Sequence, residues 1–161
     1  PFFDRRWGTV TVGNSCQITD GATALLVMEA EQAKGLGLKP LGKVHSYAYA
    51  GCDPERMGLG PVFATAKVLN SSGLKLKDMQ LIELNEAFAS QGLATLRDLG
   101  IADDDPRVNP NGGAISLGHP LGMSGARITG TAMLELEPGE KSFSTMCIGV
   151  GQGIAIALEA V

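Results

Sequence analysis

The sequence is short of the residues that most often announce a function. Only three cysteines, two histidines and one tryptophan occur among 161 residues. Cys16, Cys52 and Cys147 are too few and too scattered for a disulfide framework, and none stands in a CxxC pair, so a structural zinc site is not expected either. No apolar stretch approaches the ~20 residues that span a bilayer, which excludes a membrane-spanning helix at this level of reading. Basic residues number 13 against 17 acidic and form no stripe, so nucleic acid is not an expected partner. The opening Pro1-Phe2-Phe3-Asp4-Arg5-Arg6-Trp7 has no apolar signal-peptide core and no initiator methionine, and reads as a piece of something longer. Unpaired cysteines imply a reducing compartment, either bacterial cytoplasm or an organelle matrix.

Glycine, by contrast, is abundant. The 22 glycines are roughly twice the usual ~7% share, and they cluster. Six lie between Gly112 and Gly130, and three alternate at Gly149, Gly151 and Gly153. Clustered glycine outside low-complexity sequence marks tight turns or a close backbone approach. With 44% hydrophobic and 19% charged residues, the chain has the composition of a globular domain.

Along the chain there is no internal repeat, low-complexity tract or long charge run. Ala24 to Met28 is an apolar run of strand type, and residues 29–36 read as a helix closed by Gly35 and Gly37. Leu41 to Ala50 predicts a strand, and Asp53 to Gly60 a punctuated loop. Pro61 suits a first helical position, with Val62, Ala66 and Leu69 at helical spacing down to Gly73. Gln80 to Leu84 reads as a buried strand, followed by a helix from about Glu86. Arg107–Asn109 is strand-like, and a helix is expected from Ser124 to Leu136. Ser142–Ile148 and Gly153–Leu158 are strands joined by a glycine turn. The order β-α-β-α-β-α-β-β implies an α/β layered domain with a mixed β-sheet covered by helices.

Three unusual segments follow predicted strands, where ligands gather in open α/β sheets. The first is Asn85-Glu86-Ala87-Phe88-Ala89. Asn85 either caps the following helix or uses its amide to orient a water or polarise a substrate oxygen. The second runs from Asn111 to Arg127 and sets His119 between Gly118 and Pro120. An imidazole fixed on such a loop acts as a base or donor, or is merely a satisfied structural histidine. His45, inside a strand, has only the structural setting. The third is Cys147-Ile148-Gly149-Val150-Gly151-Gln152-Gly153. Cys147 is either an inert small hydrophobe or a thiol that a substrate reaches across neighbours without side chains. A thiol whose pKa the site depressed from ~8.5 would suit proton exchange with a carbon acid. The Gly149 N–H would serve a developing oxyanion.

Together, and in this order, the three segments resemble the thiolase family of acetyl-CoA C-acyltransferases. The resemblance extends through Gly8-Thr9-Val10-Thr11, Gly13-Asn14-Ser15, Asp20-Gly21-Ala22 and Gly51 to Pro61, so it covers essentially the whole chain. It implies reversible Claisen chemistry, the thiolysis of a 3-oxoacyl-CoA by CoA or the condensation of two acyl-CoAs. CoA is then a substrate, and no metal or other cofactor is implied. His119 looks like the histidine that activates the nucleophilic cysteine and contributes to one oxyanion hole. Asn85 looks like the residue that holds the water completing that hole. Cys147 resembles the second cysteine, which exchanges the α-carbon proton, and Gly149 the glycine of the other oxyanion hole. Met57, Ala87 and Phe88 fall where the family lines the pantetheine and acyl pocket. Cys16 stands where many thiolases have a serine that contacts CoA. A cysteine at 147 separates the chain from ketoacyl synthases, which carry His or Asn there, and from hydroxymethylglutaryl-CoA synthases, which rely on a glutamate.

The resemblance also implies absences. The family's nucleophilic cysteine belongs to an N-terminal half, and neither Cys16 nor Cys52 matches its motif. Residues 1–40 are expected to be the tail end of that half, and 41–161 the C-terminal domain. Ala24–Met28 should then lack its strand partners. A full enzyme of this type is expected to be a homo-oligomer. A thiolase-like binding or assembly module, or another condensing enzyme of the same fold, are the competing readings.

Overall fold

The structure, a computed structural model, describes residues 2–161. Its centre is a four-stranded mixed sheet in the order β1-β4-β3-β2, with β1 Gly42–Gly51, β2 Leu81–Leu84, β3 Lys141–Ile148 and β4 Gln152–Ala160. Strands β1 and β3 both run antiparallel to β4, while β2 and β3 are parallel, with Leu84 beside Thr145. The sheet is therefore mixed, and the closing β3–β4 hairpin supplies part of the antiparallel pairing.

Period-two alternation decides which helix each face receives. On one face, Phe143 joins Ile82, Leu84, Met79, Leu96 and Ile101 in a single core. Beside it Ala50, Ala155 and Ala157 meet Ala64 and Val68 of α2, Gly60–Ser72. Alanine on both sides lets that helix lie close. The approach is closest where Gly60 faces Gly153, since a β-carbon on either would strike the other's backbone. Pro61 sits in the first turn of α2, and Gly73, at φ 71°, ends it in the left-handed conformation.

The opposite face receives α5, Leu121–Glu135, whose Ser124, Ile128 and Ala132 recur every four residues and are buried. Ser144 Oγ of β3 donates to the Ile128 carbonyl at 3.2 Å, and Met146 lies over Gly125. Helices α2 and α3 (Ala89–Asp98) on one side, and α5 on the other, give the α/β/α layering.

Several elements differ from the sequence-based expectation. Ala24–Met28 forms no strand: Ala24 to Val27 are exposed and Met28 half-buried. Strand propensity without a partner ladder leaves the backbone unpaired, and only the short helix α1, Ala30–Gly35, follows. Arg107–Asn109 contributes one parallel bridge, Val108 to Ile82, rather than a strand. The helix expected from Glu86 starts at Ala89, because Phe88 is extended (φ −143°, ψ 146°). The helix expected from Ser124 begins earlier, at Leu121, after a single turn α4 over Ala114–Leu117.

Candidate active site

Strands β2 and β3 end side by side, and the site grows from that edge. The Asn85 N–H donates to the Thr145 carbonyl at 3.0 Å, and with Leu84 beside Thr145 this sets Asn85 one residue short of the level of Cys147. Asn85 is 1% exposed, yet neither its Oδ1 nor its Nδ2 has a partner in the chain. It caps no helix, since α3 begins four residues later. A buried carboxamide with both ends unsatisfied costs about 1–3 kcal/mol per group in stability, which is the signature of a group held for something other than folding.

The loop from Asn85 to Phe88 is held from several sides. Glu86 accepts from Asn109 Nδ2 at 2.9 Å and from the Ile115 N–H at 3.2 Å. Its carboxylate occupies the space any side chain at Gly113 would need, which ties the first segment to the glycine-rich second one. Gln91 Oε1 accepts from the Ala87 N–H at 3.2 Å. Gln91 Nε2 reaches Thr95 Oγ1 at 3.4 Å, and that hydroxyl donates to the Gly58 carbonyl at 3.2 Å. The turn carrying Met57 is thereby linked to the loop carrying Ala87 and Phe88.

Residues 15–17 cross between the two loops. Ser15 forms an isolated antiparallel bridge with Phe88, and the Cys16 N–H donates to the Ala87 carbonyl at 2.9 Å. One residue on, the Gln17 carbonyl accepts from the His119 N–H at 3.0 Å. Thr19 packs against Gly118, whose φ of 87° and crowded Cα require glycine. His119 is thus held between the segment 17–19 and the start of α5.

The hydrogen bonds at His119 bear on its tautomer. Ser124 Oγ lies 2.6 Å from Nδ1 and donates its only proton to the Pro120 carbonyl at 3.1 Å. With its proton on the Pro120 carbonyl, Ser124 accepts from Nδ1–H, and that tautomer leaves the Nε2 lone pair free. Burial, and then the Arg127 charge, lower the His119 pKa, so the neutral base is the resting form.

Cys147 is 8% exposed, near the carboxyl end of β3. Burial, with the neighbouring Cys16 and Cys52 thiols adding to it, pushes its thiol up to about 11. The depressed thiol considered from the sequence is therefore not what the fold supplies; it supplies an S–H. Cys16 and Cys52, from distant parts of the chain, come close enough to act on Cys147, although among the described residues no group of three His, Cys, Asp or Glu is arranged to hold a metal ion. Burial also raises Cys16. Beside them, Cys52 N donates to the Gly151 carbonyl at 2.8 Å, clamping the β3–β4 turn. A side chain on Gly149 would meet nothing within 4 Å, so the space beside that peptide is open to a ligand. Next to it, Val150 takes φ 66°, a strained conformation for a β-branched residue.

Seven of the eight residues singled out from the sequence are joined by these contacts or follow directly in the same turn: Asn85, Ala87, Phe88, Cys16, His119, Cys147 and Gly149. Met57 is tied in one step further out, through Gly58. Sequence reasoning missed Ser124, Glu86 as an anchor, and Gln91 with Thr95. A signal for Gln91 existed in the i, i+4 spacing from Ala87, whereas nothing local announces that residues 15–17 bridge two loops about 70 and 100 positions away.

Fold and site together define an α/β layered domain with a carboxamide, an imidazole and a thiol at one sheet edge. The chain belongs to the thiolase family: residues 38–160 match the thiolase C-terminal domain, and residues 1–31 match the thiolase N-terminal domain. It is 56% identical over 155 residues to the beta-ketoadipyl-CoA thiolase of Pseudomonas putida, covering 95% of this chain and 39% of the relative. The 3-ketoacyl-CoA thiolase of Alcanivorax borkumensis is 55% identical over 164 residues, covering 100% and 42%. Among solved structures, the dimeric peroxisomal thiolase of Saccharomyces cerevisiae superposes with a TM-score of 0.96 at 42% identity, covering all of this chain and 40% of that one. Human mitochondrial 3-ketoacyl-CoA thiolase in complex with CoA gives 0.94 at 44% identity, covering 100% and 41%. The chain spans about two fifths of the length of the relatives it matches. Among the described residues no helix is long and apolar enough to cross a membrane.

Proposed function

We propose that the chain is the C-terminal portion of a 3-oxoacyl-CoA C-acyltransferase, and that it supplies the acid–base half of reversible Claisen chemistry. The observation that carries this reading is the pairing of a free Nε2 lone pair on His119 with a protonated Cys147, beside the unpartnered Asn85 amide. In thiolysis, a nucleophilic thiol from the N-terminal half gives its proton to His119 Nε2 and attacks the 3-oxo carbon. The C2–C3 bond breaks, and its electron pair leaves as the enolate of acetyl-CoA. Cys147 donates its S–H proton to that carbon, a role suited to a thiol kept protonated by burial. CoA gives its thiol proton to the Cys147 thiolate and takes the acyl group, and the released enzyme thiolate recovers its proton from His119. Asn85, through a water, and the Gly149 N–H stabilise the two oxyanions.

Residues 1–40 are proposed as the end of the N-terminal half and 41–161 as the C-terminal domain. The pantetheine and acyl chain would pass between Met57 and the Ala87–Phe88 loop, with Cys16 beside them. Homo-oligomerisation is inferred from the dimeric yeast neighbour. Bacterial cytoplasm or an organelle matrix suits a chain whose site depends on free thiols.

The test is thiolysis of acetoacetyl-CoA by the 161-residue chain, alone and mixed with a separately expressed N-terminal half. The chain alone should be silent, because no covalent acyl intermediate forms without the nucleophile. Turnover by the chain alone, abolished by Cys147→Ala, would show the nucleophile to be misassigned.

A further inference from the structure

Among the described residues five buried side-chain atoms have no hydrogen-bond partner, and three of them stand on two residues: Glu83 Oε1, Asn85 Oδ1 and Asn85 Nδ2. Glu83 is 3% exposed and Asn85 1%. Glu83 lies two residues before Asn85 near the end of β2, so both side chains leave the same face of the extended chain. Both line one largely enclosed cavity, whose other walls include Ala114 of α4 and Ile128 and Thr131 of α5. The cavity measures about 20 Å³, which is the room of a single water. The remaining two unpartnered atoms, on Thr65 and Ser142, belong to none of its walls.

A buried carboxyl and a buried carboxamide, each left unsatisfied, burden the fold. No hydrogen bond within the chain joins the two, so whatever satisfies both must sit between them. A water has two protons to donate and two lone pairs, and an internal site for one needs two to four polar partners. It also serves either form of the carboxyl. Burial raises Glu83 to about 7, so near neutrality acid and carboxylate are both present. The acid O–H donates to the water, whereas the carboxylate accepts from it. In both states the water keeps a proton for Asn85 Oδ1. A metal cation suits the cavity poorly, because Arg127 lines the same wall.

We propose that this cavity is a site for one internal water, which bridges the Glu83 carboxyl and Asn85 Oδ1 and thereby fixes the polarity of the Asn85 carboxamide. The two ends of a carboxamide are nearly alike in size, so packing alone does not choose between them. With Oδ1 engaged from inside, Nδ2 is the end left for the candidate site, where an N–H donor holds the water of an oxyanion hole. Glu83 is then a positioning residue: it acts on Asn85 through the internal water and touches no substrate. The proposal rests on the acyl-transfer reading only for the use made of Nδ2–H, not for the water site itself.

The test is NMR of the isotopically labelled 161-residue chain, with water contacts read at the Ala114 methyl, which is itself 1% exposed. In wild type that methyl should show NOE and ROE cross-peaks of opposite sign to water, the mark of an internal molecule that outstays tumbling. Glu83→Gln keeps a donor and an acceptor in place, and should retain both the cross-peaks and the Asn85 Nδ2 shift. Glu83→Leu should lose the cross-peaks and move the Asn85 Nδ2 resonance. No long-lived water in wild type would overturn the proposal. So would cross-peaks that survive Glu83→Leu, or an Nδ2 resonance that stays put when they are lost. Should Glu83→Leu fail to fold, a crystal structure of the wild-type chain decides. One ordered water within hydrogen-bond distance of both Glu83 Oε1 and the Asn85 carboxamide supports the bridge, and density beside only one of them, or neither, sinks it. None of these readouts needs turnover, so failure of the water site and failure of the acyl-transfer reading are told apart.

Discussion

Residues 2–40 and 41–161 are held by different forces. In the longer region the sheet and its helices bury two apolar clusters, with Phe143, Ile82, Ala64 and Ala157 at 1% exposure or less. In the first region only Ala33 is buried, whereas Phe3, Trp7, Ile18, Leu26 and Val27 are 70% exposed or more. What fastens that region at its most important point is backbone hydrogen bonding, through Ser15, Cys16 and Gln17. A segment without a core of its own thus forms one wall of the candidate site. Burial tells where the stability lies, and the path of the backbone tells where the chemistry lies; here the two do not coincide.

The sharpest way to break this comparison is Phe143→Ala. Phe143 is a fully buried member of the larger apolar cluster, so its truncation should cost about 3–5 kcal/mol in urea unfolding. A loss below ~1 kcal/mol would mean that the sheet is not where the stability resides.

Next in size is a pH effect on stability with opposite signs at two carboxylates. Glu83 is raised to about 7, above its unfolded value of 4.5, so the fold favours its protonated form. Stability from this group is full below 4.5 and is lost as pH rises through 7. Glu83→Gln should therefore be more stable than wild type at pH 8, by roughly 1–3 kcal/mol after allowing for partial solvation, with the advantage vanishing at pH 4. Glu159 behaves in reverse. Hydrogen bonds from Lys43, His45 and Lys141 hold it at about 2, below 4.5. Its contribution is present above 4.5 and is lost as pH falls towards 2. Thermal melts of Glu159→Gln and wild type should accordingly differ near neutrality and converge near pH 2.

How much of this was legible in the sequence follows the same division. Strands β1, β2, β3 and β4 and helix α2 were readable because alternation, Pro61 and Gly73 are local signals that burial then rewards. Ala24–Met28 read as a strand because Leu, Val and Ala favour pleated surfaces, but a strand exists only with a neighbour, and the described chain offers none. The local sequence at Asn85 predicts a helix start, whereas the extended conformation of Phe88 accompanies its bridge to Ser15, 73 positions away. The roles of the site residues are legible only through the family resemblance. Their local setting left Asn85 and Cys147 open, because an unsatisfied amide and a buried thiol are visible only once the chain is folded.

The smallest expected effect sharpens the comparison from the other side. Leu26 is 79% exposed, within an apolar run whose backbone pairs with nothing. Leu26→Ser removes little buried area, so unfolding of the 161-residue chain should change by less than ~0.5 kcal/mol. The result differs if residues 1–40 complete an N-terminal sheet. Once the separately expressed N-terminal half is added, Leu26 gains neighbours, and the same substitution forfeits up to ~1.5–3 kcal/mol of side-chain burial. That corresponds to roughly a tenfold or greater weakening of association, read by titration calorimetry of the two pieces. Leu25 is a useful control, because its side chain already rests 3.3 Å from the space above Gly130 of α5 and should register in the lone chain as well. A Leu26→Ser variant that destabilises the lone chain as much as Phe143→Ala would erase the distinction between the two regions. One that leaves association untouched would place residues 1–40 outside the N-terminal half.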